Sequence, residues 1–335
     1  MTPPTIFVSR VLPPNVLASL RSVGTLRVWE HERDPTPADL AEHLKGATAM
    51  VAQLTDRIDA ALLDAAPDLR IVANVAVGYN NVDVPAARTR RVIITNTPDV
   101  LTEASATLTW TLILGITRRV VEGDRLVRAG QWVGWAPGFM LGVDLAGREL
   151  GIIGMGRIGQ AVAAKAAAFG MRVSYVVSPR QAGRPAIAGP DGVPYAPKTL
   201  DDLLSTADVI AIHVPLTDET RHLIGARELA RMKSSAYLIN VARGPVVDEA
   251  ALADALAAGR IAGAGLDVYE QEPTVHAGLL HLSNVVLSPH LGSATHETRE
   301  AMAALAADNV RAVVSGRPPL TPVAGSYLPA DAATS

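Results

Sequence analysis

Three glycines spaced as G-x-G-x-x-G, namely Gly154, Gly156 and Gly159, stand in GIIGMGRIGQAVA between a β-branched run and an alanine-rich segment. That spacing suits the pyrophosphate of a dinucleotide. The first glycine permits a tight turn, the second lets backbone approach the phosphates, and the third lets helix and strand pack closely. A helix beginning near Arg157 and Ile158 would add its N-terminal N–H groups and the positive end of its dipole. The motif is weak alone, and an ordinary glycine turn is the alternative; the strand before and the helix after it are its confirming context. The second strand of such a unit normally ends in an acid that binds the ribose 2′-hydroxyl of NAD. Here MRVSYVVSPRQ ends in Ser178, Pro179 and Arg180, and no Asp or Glu occurs between Glu149 and Asp191. A hydroxyl and a guanidinium suit a 2′-phosphate, since Arg makes charge-assisted, often bidentate bonds to phosphate. The expected cofactor is therefore NADP(H), with NAD(H) as the alternative.

Four further polar groups stand in apolar or glycine-rich surroundings. Arg243 lies in INVARGPVVDEAAL, Asp267 and Glu272 in GAGLDVYEQEP, and His290 in LSPHLGSAT. Each follows the carboxyl end of an expected strand, where open α/β sheets bind ligands. A strand-end Arg or a loop His is often structural, and the other histidines, such as His43 and His222, are read that way. His290 differs because Pro289 precedes it, Gly292 follows closely, and two acids and an Arg occupy comparable strand ends.

The elements that must position these groups alternate. TIFVSR, TLRVW, ATAMVAQL, RIVANVA and VIITN read as buried strands in the first hundred residues. Between them lie Ala/Leu segments. One opens with Thr36 as N-cap, Pro37 at the first helical position and Asp39 three residues after the cap. A long helix is expected from Leu101 to about Gly130, with Thr102 as its cap, followed by the aromatic loop QWVGWAPGFMLG. A second series then gives strands in RELGIIG, MRVSYVV, ADVIAIHV, AYLINVA, AGAGLDV and NVVLSP. A last helix is expected from about Ala294 to Ser315, and the tail GSYLPADAATS reads as loose. Strand–helix alternation implies parallel sheets with helices on both faces.

A chain of 335 residues has room for two domains. A net charge of −3 leaves no basic stripe for nucleic acid. The absence of cysteine excludes disulfides, thiolate metal sites and a Cys nucleophile, and no metal site is expected. The N-terminus does not read as a signal peptide, and TLTWTLILGIT is too short to span a bilayer. The expectation is a cytoplasmic protein with no membrane partner.

Several long motifs, in order, resemble the D-2-hydroxyacid dehydrogenase family: VGYNNVDVPAA, NTPDVLTEASA, GIIGMGRIGQAVA, HVPLTDET, NVARGPVVDEAAL, GLDVYEQEP and SPHLGSAT. The resemblance covers nearly the whole chain. It implies two Rossmann-like or flavodoxin-like doubly wound domains with an active-site cleft between them. Residues 1–101 plus 292–335 would bind substrate, and residues 102–291 would bind NAD(P). It implies that His290 exchanges a proton with the substrate oxygen, that Glu272 supports the imidazolium, and that Arg243 holds the substrate carboxylate and polarises the carbonyl. Val77 and Gly78 would grip that carboxylate through backbone N–H groups. Asp267 would place the nicotinamide carboxamide. Val214, Pro215, Thr220, Val241, Ala242 and Gly292 would line the cofactor, as would the residues of the glycine turn.

Within the family, Glu272 argues against formate dehydrogenases, which carry Gln there. No C-terminal regulatory domain of the kind many phosphoglycerate dehydrogenases carry is expected, and their NAD preference also conflicts with Ser178 and Arg180. The pattern is most similar to glyoxylate/hydroxypyruvate reductases, acting on a small 2-keto or 2-hydroxy acid. Leu54 would form a pocket wall. Phe139 stands where the mammalian-type members carry tryptophan, a residue that in some relatives closes the partner subunit's pocket; plain interface packing is the alternative. The resemblance implies a homodimer. Two other readings remain at this point: a phosphoglycerate or other NAD-dependent D-2-hydroxyacid dehydrogenase, and a non-enzymatic nicotinamide-sensing protein.

Overall fold

The computed structural model describes residues 3–178, 183 and 185–329. They form two compact units, one running to Leu101 and resuming at Thr295, the other Thr102–Ala294.

The first unit holds a parallel sheet of β1 (Thr5–Val8), β2 (Thr25–Val28), β3 (Ala49–Ala52), β4 (Ile71–Asn74) and β5 (Ile93–Thr95). Its order, β2-β1-β3-β4-β5, is that of flavodoxin-like folds. β3, β4 and β5 are buried at every residue, as parallel strands covered on both faces should be, whereas the edge strand β2 alternates exposed and half-buried. Phe7, Leu40, Met50 and Ile94 lie in its core, each contributing about 1.5–3 kcal/mol by burial. The helix Pro37–Leu44 begins as expected, with Thr36 and Asp39 forming a reciprocal capping box. The helix His296–Val314 returns to pack on β3, β4 and the helix Pro14–Arg21. The tail is tied down further than expected: Val323 N–H bonds Ile94 O at 3.0 Å, and Ile94 N–H bonds Ser326 Oγ at 2.8 Å.

The second unit holds β6 (Glu149–Ile153), β7 (Arg172–Val176), β8 (Ala196–Lys198), β9 (Val209–Ile212), β10 (Tyr237–Asn240), β11 (Gly263–Leu266) and β12 (Val285–Leu287). All pairings are parallel, in the order β12-β11-β10-β9-β6-β7-β8. This is the Rossmann order extended by one strand. β8 escapes sequence reading because APK is short and polar.

The long helix expected from Leu101 to Gly130 is two helices, Thr102–Thr117 and Val120–Arg128. Arg119 takes a left-handed backbone, φ 54°. The returning chain causes the break: Val143 N–H takes the Thr117 carbonyl at 3.0 Å, and a Cβ on Gly142 would sit 2.4 Å from that oxygen. Arg119 then pairs with Glu122 through two bonds of 2.8 and 2.7 Å. Thr102 is the first helical residue and not the cap. The aromatic loop after these helices leaves Trp132, Trp135 and Leu141 exposed, and Phe139 partly so.

Candidate active site

β6 ends in the glycine turn. Gly154 has φ 103°, and a Cβ there would lie 2.5 Å from the His213 carbonyl carbon and 2.7 Å from the Val214 nitrogen. The turn thus lies directly against the backbone leaving β9, which brings Val214 to it. Gly159 is equally constrained, since its Cβ would lie 2.2 Å from Gly154 O. Gly156 differs: a Cβ there would meet nothing within 4 Å. It is the N-cap of the helix Arg157–Ala166, with no side chain capping that end. A cradle of backbone at a helix N-terminus, kept clear by a missing side chain, fits a dinucleotide pyrophosphate. Behind it, His213 is half-buried as a whole, but its Nε2 is fully buried with no hydrogen-bond partner. Burial pulls that imidazole down to about 4.

Ser178 lies two residues past β7. Arg180, the other residue expected to meet a 2′-phosphate, is outside the described residues. The Thr220 hydroxyl is engaged in its own turn: it donates to Pro215 O at 2.7 Å and accepts from Thr217 N–H at 2.8 Å.

Three neighbouring strands, β10, β11 and β12, deliver the remaining groups. Asp267 directly follows β11 and is fully buried. Ser288 Oγ donates to its Oδ1 at 2.6 Å, Leu291 N–H to Oδ1 at 2.7 Å and Gly292 N–H to Oδ2 at 2.8 Å. Burial pushes this carboxyl above its ordinary range, with those donors opposing. Gly292 also touches the β10 side, where its Cβ would meet Val241 at 3.5 Å, and its carbonyl accepts from Ser105 Oγ at 3.2 Å. Glu272 Oε2 faces His290 Nδ1 at 2.8 Å, and Oε1 accepts Tyr269 N–H at 3.1 Å. Burial is the largest single influence on Glu272 and pushes it up. The hydrogen bond and charge of His290, the Tyr269 N–H and the Arg243 charge together outweigh it, holding the carboxyl below its ordinary value. Burial lowers the Arg243 guanidinium, with the Glu272 charge opposing, and Arg stays charged at any relevant pH. Arg243 Nη1 donates to Ala242 O at 2.7 Å. His290 has φ 54°, a conformation uncommon for a residue with a side chain.

Sequence reasoning missed the residues that hold these loops. Asn240, closing β10, donates to Arg243 O at 3.0 Å and accepts Ala242 N–H at 3.0 Å. In the first unit, Val77 and Gly78 follow β4, and asparagines take their carbonyls: Asn96 that of Val77 at 2.8 Å, and Asn74 that of Gly78 at 3.1 Å. Asn81 bonds the carbonyls of Gln53 and Asp56, on either side of the half-buried Leu54. The available signal was an asparagine closing an otherwise apolar strand, as in RIVANVA and AYLINVA.

Among the described residues, no group of three or more His, Cys, Asp or Glu side chains could hold a metal ion, and no helix is long and apolar enough to cross a membrane.

Two parallel sheets, a dinucleotide cradle and a carboxylate–imidazole pair at adjacent strand ends define a nicotinamide-dependent oxidoreductase. Residues 110–292 match the family described as D-isomer specific 2-hydroxyacid dehydrogenase, NAD binding domain. The chain is 47% identical over 322 residues to a glyoxylate reductase of Thermococcus onnurineus, covering 95% of each chain. It is 49% identical over 318 residues to that of Korarchaeum cryptofilum, covering 94% of each. The crystal structure of an NADPH-dependent glyoxylate/hydroxypyruvate reductase from Sinorhizobium meliloti, with NADP and malonate, superposes at TM-score 0.85, with 36% identity and 98% of each chain covered. This chain therefore belongs to the D-isomer specific 2-hydroxyacid dehydrogenase family.

Proposed function

We propose that the protein is an NADPH-preferring 2-keto-acid reductase of the glyoxylate/hydroxypyruvate type, forming D-2-hydroxy acids. The observation that carries this reading is the 2.8 Å pair of Glu272 and His290, in a chain nearly half identical to glyoxylate reductases. Bound nicotinamide would supply the hydride to the carbonyl carbon. His290 donates a proton to the carbonyl oxygen, so that C=O becomes CH–OH. Glu272, ionised, stabilises the positive imidazolium and fixes the tautomer with Nδ1–H toward itself. Arg243 binds the substrate carboxylate and stabilises charge developing on oxygen. Asp267 orders the 288–292 loop and helps place the carboxamide. Val77 and Gly78 N–H groups bind the substrate carboxylate, with Leu54 and Phe139 limiting its size. Val241, Ala242, Val214, Pro215, Thr220 and Gly292 line the cofactor.

Ser178 and Arg180 meet the 2′-phosphate, and the lack of an acid there supports this part of the reading. The test is kcat/KM for NADPH and NADH side by side, with glyoxylate and with hydroxypyruvate. A strong NADPH preference with either acceptor is expected, and an NADH preference would reject it. We read the protein as a cytoplasmic homodimer; the exposed Trp132, Trp135 and Leu141 support the second copy. Sedimentation at the mass of one 35.1 kDa chain would reject the dimer.

A further inference from the structure

Tyr269 is 6% exposed and stands two residues past Asp267 and three before Glu272. It meets all three loops that carry the polar groups of the site. Its backbone N–H holds Glu272 Oε1 at 3.1 Å. Its hydroxyl donates to Ser288 O at 2.9 Å, with Leu266 O further away at 3.3 Å. Its own carbonyl lies against the loop of Arg243: a Cβ on Gly244 would sit 1.8 Å from Tyr269 C and 1.9 Å from Tyr269 O. Only glycine allows those two backbones to pass so closely.

The bond to Ser288 O matters because that carbonyl also accepts His290 N–H at 3.1 Å. The same N–H lies 2.9 Å from Asp267 O. The phenol therefore helps fix the peptide group two residues ahead of His290, where the backbone must enter a left-handed conformation. Such a conformation persists only where surroundings over-determine it. Burial, with the Asp267 charge adding to it, raises the phenol above its ordinary value, so it remains a hydrogen donor throughout the working range.

We infer that Tyr269 is a positioning residue: through Ser288 O its hydroxyl holds His290 in the backbone conformation that presents the imidazole to Glu272, while its main chain spaces Glu272 and Arg243. This rests on the reductase reading above for its consequence in turnover, but not for its geometry.

The test is Tyr269→Phe, which removes the hydroxyl and keeps the ring. We expect kcat to fall about tenfold, with KM for the keto acid and cofactor affinity within about twofold of wild type. The thermal midpoint should stay nearly unchanged. The second readout needs no activity: the ring-nitrogen NMR shifts of His290, assigned by their loss in His290→Gln, should change in Tyr269→Phe. If wild type reduces neither glyoxylate nor hydroxypyruvate, the reductase reading fails and the NMR shifts still decide the positioning role. Unchanged His290 shifts overturn the inference whatever the rates do. So does a kcat within twofold of wild type, or a fall in kcat accompanied by equal losses in cofactor affinity and thermal midpoint.

Discussion

The two oxygens of Glu272 have different tasks. Oε1 is held by a backbone N–H, and Oε2 faces the imidazole of His290. Glutamine in this place keeps the size and one acceptor but cannot supply negative charge to an imidazolium. Glu272→Gln should therefore lower kcat by about 10–100-fold, and His290→Gln by about 1,000-fold, both within the range of general acid–base effects. Cofactor binding, followed by quenching of protein fluorescence, should be retained in both. Wild-type turnover in His290→Gln would remove His290 from the proton-transfer step. Arg243, Glu272 and His290 stand out in the sequence as polar groups following apolar strands, and the structure brings the last two to 2.8 Å. Tyr269, Ser288 and Asn240 do not, because they act through hydrogen bonds between segments that meet only in the folded loops.

At the level of elements, the glycine turn shows what one Cβ can cost. Gly154 has a backbone that side-chain-bearing residues rarely adopt, and a methyl there would overlap the chain leaving β9. Gly154→Ala should lower stability by about 1–3 kcal/mol and weaken cofactor binding more than it weakens folding. Titration with NADPH alongside thermal melting checks this; unaltered cofactor affinity would show that the turn is not the cradle. Strands, their parallel pairing and most helices were legible because long apolar runs and caps are local signals. The break at Arg119 was not. The segment is helical in composition, and it ends where it does because Val143, far along the chain, claims the carbonyl of Thr117. β8 was missed for the same reason, since its extended form comes from pairing with β7 rather than from its residues.

For the whole molecule, His213 sets a pH dependence. Its imidazole is held neutral down to about 4 in the folded state, against 6.5 when unfolded. Above pH 6.5 neither state is protonated, and the group has no effect. As pH falls from 6.5 toward 4, the unfolded chain binds a proton that the folded one excludes, so stability is lost through that window, by about 2 kcal/mol at pH 5. Calorimetry should show the thermal midpoint falling over this range, and less steeply in His213→Leu; equal slopes would show that His213 does not set it. The two units also differ in how the chain supplies them. The unit Thr102–Ala294 is one continuous stretch, whereas the other needs the helix His296–Val314 to cover β3 and β4. In vectorial synthesis, then, the unit begun first is finished last. Its strands β3 and β4 must wait without that cover while the unit Thr102–Ala294 is made, which leaves them as the surface a chaperone would have most reason to shield.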